Sequence, residues 1–181
     1  AEIVATPSGK GYWVLTEGGR VFAYGDAESH GDMGSKGDAI AAGMDATPTG
    51  LGYWIVTTRG RVVPFGDAVF YGGAANEIKD VRGIVASATG LGYWIFNGKG
   101  RVKAFGDAQI LGGLADEKLT QDIVGMSITA SGLGYLLLGD KGKIEAFGDA
   151  PKPSSLTRVR MTQPTPPAGL APAVMPEDDH Q

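Results

Sequence analysis

Four segments of this chain repeat one another at a constant length. They are GYWVLTEGGRVFAYGDA from Gly11, GYWIVTTRGRVVPFGDA from Gly52, GYWIFNGKGRVKAFGDA from Gly92 and GYLLLGDKGKIEAFGDA from Gly134. Gly9, Gly50, Gly90 and Gly132 each stand seventeen residues before Asp26, Asp67, Asp107 and Asp149. Successive aspartates are 41, 40 and 42 residues apart, so only the connector varies. A fixed inner unit with an elastic connector describes a rigid hairpin joined to surface loops. Each unit opens on an apolar stretch (IVATP, AAGMDATP, GIVASAT, IVGMSITA) and closes it in a small polar turn ending in glycine. A strand rich in aromatic and β-branched residues follows, as in Tyr53-Trp54-Ile55-Val56-Thr57. A loop ending in Gly19, Gly60, Gly100 or Gly142 suits a hairpin with a left-handed last residue. A further strand then runs into Gly-Asp-Ala. The first three units add a short stretch, SHGDMG, VFYGG or QILGG, which the fourth lacks.

Three to four short antiparallel strands per unit, four times over, predict an all-β fold: a β-propeller of four repeats of about 41 residues. The repeats fall at about 1–38, 39–80, 81–121 and 122–162, so the propeller spans 1–162. ANEIKDVRG and ADEKLTQDIVG have room for a helical turn, but both lie in connectors. Thirty glycines agree with a turn-rich β protein of 181 residues. Residues 163–181 read as an extended Pro-rich arm, and seven of the ten prolines follow Ala150. Between the two, SSLTRVRMT alternates and could complete the fourth blade. Three closures are open: a ring of four blades, two chains sharing eight, or an open stack capped by partners. A four-blade ring held in a larger assembly is the expectation, because open edges invite pairing.

The GYW…FGDA pattern over about Ile3 to Ala150 resembles a tandem repeat of secreted and surface bacterial proteins, actinobacteria among them. The fourth unit departs from it, with Leu136 in place of Trp13, Trp54 and Trp94. The resemblance implies propeller-like blades and a surface module, and no reaction. The chain begins at Ala1, and a removed secretory signal is one explanation, which fits an extracellular, cell-surface or periplasmic location.

Columns of the repeat separate architecture from specificity. Tyr24, Phe65, Phe105 and Phe147 stay aromatic, and Ala23, Pro64, Ala104 and Ala146 stay small, as a close neighbouring sheet requires. Pro64 removes a ladder hydrogen bond, which places those strands toward the outside of each sheet. Phe22, Val63, Lys103 and Glu145 share no chemistry, so partner specificity belongs to such columns. Arg20, Arg61, Arg101 and Lys143 form either a cationic rim for a partner or four local pairs with carboxylates or turn carbonyls; the pairs are the expectation. Pro164, Pro166, Pro167 and Leu170 in the arm are further candidate partner contacts. Asp26, Asp67, Asp107 and Asp149 read as structural turn residues of the Asx type. One carboxylate per blade does not supply the six to eight oxygens of a calcium site. The Tyr-Trp pairs point to packing between blades, with sugar stacking as the alternative.

No metal or other cofactor is expected. With no cysteine, and with His30 as the only histidine outside the tail, a nucleophile–base pair has little to draw on. His30 shares a column with Tyr71 and Leu111 and reads as a packing or surface variant. A net charge of −4 gives no footprint for nucleic acid, and no apolar run reaches the length of a membrane span. The leading expectation is a non-catalytic extracellular or surface binding or scaffold subunit, tethered by its arm to protein partners or to further copies of itself. A carbohydrate- or cell-wall-binding propeller is the alternative. A glycoside hydrolase with paired carboxylates comes third.

Overall fold

The computed structural model describes residues 1–34, 40–75, 77–114 and 119–152. These residues form four antiparallel sheets of three strands and no helix. The first sheet holds β1 (Glu2–Ala5), β2 (Tyr12–Leu15) and β3 (Val21–Tyr24). The second holds β4 (Ala41–Ala46), β5 (Gly52–Thr57) and β6 (Val62–Gly66). The third holds β7 (Val81–Ala86), β8 (Gly92–Asn97) and β9 (Val102–Gly106). The fourth holds β10 (Ile123–Ile128), β11 (Gly134–Gly139) and β12 (Ile144–Gly148). The strands run in sequence order across every sheet, and each sheet lies within one repeat. These four sheets are the four blades of the expected propeller. The stretches after Gly-Asp-Ala form no strand, so each blade has three strands among the described residues.

Side-chain alternation explains how the blades stack. Tyr53 and Ile55 of β5 pack with Trp13 and Leu15 of the blade before. Trp54 and Val56, on the opposite face, pack with Tyr93 and Ile95 of the blade after. Trp94 and Phe96 likewise meet Tyr135 and Leu137. All six residues of β5 and of β8 are buried, because each of these strands is covered on both faces. Burying each of these large side chains stabilises the fold by about 2 kcal/mol. Trp54 stands opposite Pro64 and Trp94 opposite Ala104, so the small column leaves room beside the indoles. Pro64 lies on an outer strand, where its missing N–H interrupts no ladder on the free side.

The glycine before each aspartate is required by its backbone. Gly66 has φ of +64°, and a Cβ there would lie 2.1 Å from the Leu51 carbonyl oxygen. At the β5–β6 hairpin Gly60 is left-handed at φ +81°, as the loop pattern predicts.

The innermost strands carry the blades past one another: β1 packs against β4, β4 against β7, and β7 against β10. Between β10 and β1 there is no contact of that extent. The expected ring of four closed on itself is therefore not what the described residues form. They make an arc of four blades with two free faces. The predicted strand in SSLTRVRMT and the arm at 163–181 lie outside the described residues.

Candidate functional site

Three surfaces are built by the repeat: the seams between blades, the rim bearing the aspartates, and the central mouth at the opposite end.

Each seam is fastened by the stretch that follows Gly-Asp-Ala, which runs as a strap onto the next blade. In the first seam the Trp13 indole donates to the Glu28 carbonyl at 2.7 Å. The Tyr53 hydroxyl donates to the Gly31 carbonyl at 2.5 Å and accepts from the His30 N–H at 3.2 Å. The second seam repeats this with Trp54 on Val69 and Tyr93 between Tyr71 and Gly72. The third uses Trp94 on Gln109 and Tyr135 between Leu111 and Gly112. The repeated aromatics are therefore joinery. Burial holds the Tyr53, Tyr93 and Tyr135 phenols above their ordinary range. His30 lies tilted against Tyr53 at 5.7 Å within the first seam, and its buried Nε2 has no hydrogen-bond partner among the described residues.

On the aspartate rim the carboxylates accept chiefly from hydroxyls rather than from the backbone N–H groups of an Asx turn. Thr6 and Ser8 donate to Asp26 at 2.9 and 2.5 Å. Thr47 and Thr49 donate to Asp67, Thr89 to Asp107, and Thr129 and Ser131 to Asp149. Each aspartate thus clasps the β-turn that precedes the middle strand. The Ser8 and Thr6 hydroxyls hold the Asp26 carboxyl below its usual range, and Ser131 and Thr129 do the same for Asp149. Leu51, Leu91 and Leu133 are exposed next to these turns and form an apolar rim.

The mouth at the other end is a cavity of about 340 Å³ touched by all four blades, through Glu17, Thr58, Asp80, Arg82 and Val124 among others. Arg82 pairs with Asp80 at 3.2 Å, so the lining carries both signs. A neighbouring cavity of about 470 Å³ reaches Arg59, Ile78 and Lys79.

The cation column divides. Lys143 pairs with Glu145 at 2.5 Å. The Arg20 guanidinium lies over the Phe22 ring, 5.8 Å from its centre. Arg61 and Arg101 are exposed and have no ion pair among the described residues. Among the described residues, local carboxylate pairing therefore describes Lys143 and not the three arginines. Of the unlike column, Phe22 is exposed, Val63 is half-buried, and Lys103 pairs with Glu77. Pro164, Pro166, Pro167 and Leu170 lie outside the described residues.

Two carboxylates were not singled out by the repeat. Glu2 occupies the column of Gly43, Gly83 and Gly125, and its Oε2 accepts the Met44 N–H at 2.6 Å across the first seam. Burial pushes its carboxyl up to about 7, although the Met44 bond pulls the other way. Asp45 reaches the Ala86 N–H at 2.7 Å across the second seam, and burial raises its pKa too. The available signal was an acid standing where the other copies have glycine, valine or serine.

Among solved structures the chain is similar to the Cps50 (Swd1) beta-propeller domain of Myceliophteria thermophila, with 15% identity and a TM-score of 0.53. The match covers 81% of this chain and 51% of that one, so this chain spans about half the length of its structural neighbour. No protein-family model matches the chain, and no curated protein matches it.

Proposed function

We propose that this chain is a non-catalytic binding or scaffold module that works by contacting proteins. The observation that carries the reading is the division of labour along the repeat. Trp13 and the repeated aromatics of the second and third blades are consumed in seams, while apolar side chains stand exposed on the aspartate rim and on the end blades. A likeness to a propeller domain supports the architecture on which such surfaces are mounted. The GYW…FGDA resemblance supports a bacterial surface or secreted setting. The arm at 163–181, through Pro164, Pro166, Pro167 and Leu170, tethers the module to its neighbours.

Photo-crosslinking from Pro166 and from Leu91, on cells that make the full chain, tests this. Protein adducts at the cell surface are expected from both positions. Deleting 163–181 is expected to weaken surface retention. Retention unchanged by the deletion, with no protein adduct, would sink the reading.

The second reading, glycan binding, rests on Tyr12 and Tyr24. Their rings are stacked 5.1 Å apart at 21° and both are exposed. A glycan array that lights up with the full chain and darkens with Tyr12→Ala would favour it over the scaffold.

A further inference from the structure

The two free faces of the arc are unlike each other, and together they are the two halves of a seam. On the first blade, Ile3, Val14 and Phe22 line up across the strands, as do Ala5, Tyr12 and Tyr24. This face is the counterpart of the Tyr53–Ile55 face, which the preceding blade buries. Tyr53 is 0% exposed, while Tyr12 is 41% exposed. Tyr24 stands where Phe65 is packed under Gly31 of the strap, and is 48% exposed. On the fourth blade, Leu136 lies opposite Ala146 and Leu138 opposite Ile144. This face is the counterpart of the Trp94–Phe96 face, which the following blade buries. Phe96 is 4% exposed, while Leu138 is 41% exposed.

We infer that two copies of this chain join head to tail, the fourth blade of each covering the first blade of the other. Such a contact continues an interface the chain already makes three times, with the same columns on the same sides. The occupant is a second copy because the complementary face is one that the chain itself carries. It also sets the number. Propellers close with roughly four to eight blades, and the four described blades reach that range as one copy or as two. Among the described residues one copy makes no extensive contact between β10 and β1, which leaves an eight-blade ring of two chains. Each junction is heterologous, and two of them close the ring so that no face is left to recruit a third copy. The fourth blade also departs from the repeat where the junction would form. Leu136 has no indole to donate, and Pro151 occupies the strap position of Glu28, Val69 and Gln109. The junction between chains therefore lacks the indole-to-carbonyl bond of an internal seam.

This inference deepens the scaffold reading by naming one protein partner, yet it does not use the arm. Loss of surface retention on deleting 163–181 would bear on that reading alone. The test is sedimentation of the full chain together with disulfide capture, which is clean because the sequence has no cysteine. The full chain is expected at twice its monomer mass, with or without 163–181. Leu138→Glu, exposed in the single chain and so compatible with folding, should weaken association at least roughly tenfold, about 1.4 kcal/mol. Tyr12→Cys and Leu136→Cys chains should each stay uncrosslinked alone and form a covalent pair when mixed under oxidation. A full chain that stays monomeric at high concentration overturns the inference. So does a chain that dimerises only after the arm is removed, since the arm would then be the cover. Crosslinking of Tyr12→Cys with itself overturns it as well, since the faces would then meet like to like.

Discussion

At the scale of the residue, two families of carboxylate pull stability in opposite directions with pH. Glu2 has a folded pKa raised to about 7 by burial. Between about 4.5 and about 7 the folded chain therefore holds a proton that the unfolded chain has released. Its ionisation costs nothing below that window, and the full cost is present above it. Glu2→Gln keeps an oxygen for the Met44 N–H and removes the charge. Its melting temperature should exceed that of the parent by a margin that grows from pH 4.5 to pH 7.5 and then stays level. A constant margin would show that Glu2 does not titrate across the first seam. The acid neighbour that shares this effect is Asp45, whose pKa burial also raises. The clasp works the other way. Asp26 and Asp149 have lowered pKa values, so their stabilisation is present above about pH 4 and is lost as pH falls through the folded values. Asp26→Asn should therefore lower the melting temperature at neutral pH and converge on the parent as pH falls below about 4, which flattens the acid limb of the melting profile.

At the scale of the element, a blade depends on one indole and one glycine. Trp54→Leu gives the second blade the residue that the fourth carries naturally. The lost packing on Tyr93 and the lost bond to Val69 should cost about 2–4 kcal/mol, read by denaturant unfolding. The equivalent change in the opposite direction, Leu136→Trp, falls on a half-buried residue of the uncovered face in the single chain and should cost far less. Gly66→Ala places a methyl against the Leu51 carbonyl at positive φ, and should cost roughly 1–3 kcal/mol by the same measurement. These contrasts were partly legible beforehand. The hairpins, the left-handed glycines and the outer position of the Pro64 strand follow from turn chemistry and from proline's missing donor, both of which are local. The role of SHGDMG, VFYGG and QILGG was not legible, because a strap is defined by the tyrosine it meets on the next blade. The aspartate partners were missed for a related reason. Asp26 looked like the end of its own turn, but its hydroxyl donors lie 18 and 20 residues upstream.

At the scale of the whole molecule, blades stacked in a line share stability between neighbours, so the ends are weaker than the middle. Hydrogen exchange should show the greatest protection in β5 and β8, the strands buried on both faces, and less in β2 and β12. Assembly through the free faces should raise protection in β2 and β11 selectively as concentration rises. Uniform protection across all four blades at low concentration would argue against an arc.

The repeat alone determined the class of fold, the number of blades and the identity of most seam residues, because side-chain alternation and turn glycines act within a few residues of themselves. Ring closure, the exposure of Tyr12 against the burial of Tyr53, and the reach of Glu2 across a seam were decided only in three dimensions. The same column holds the same residue type in each of those cases except Glu2. What differs is whether another blade lies over it, and burial is a property of the neighbour rather than of the residue.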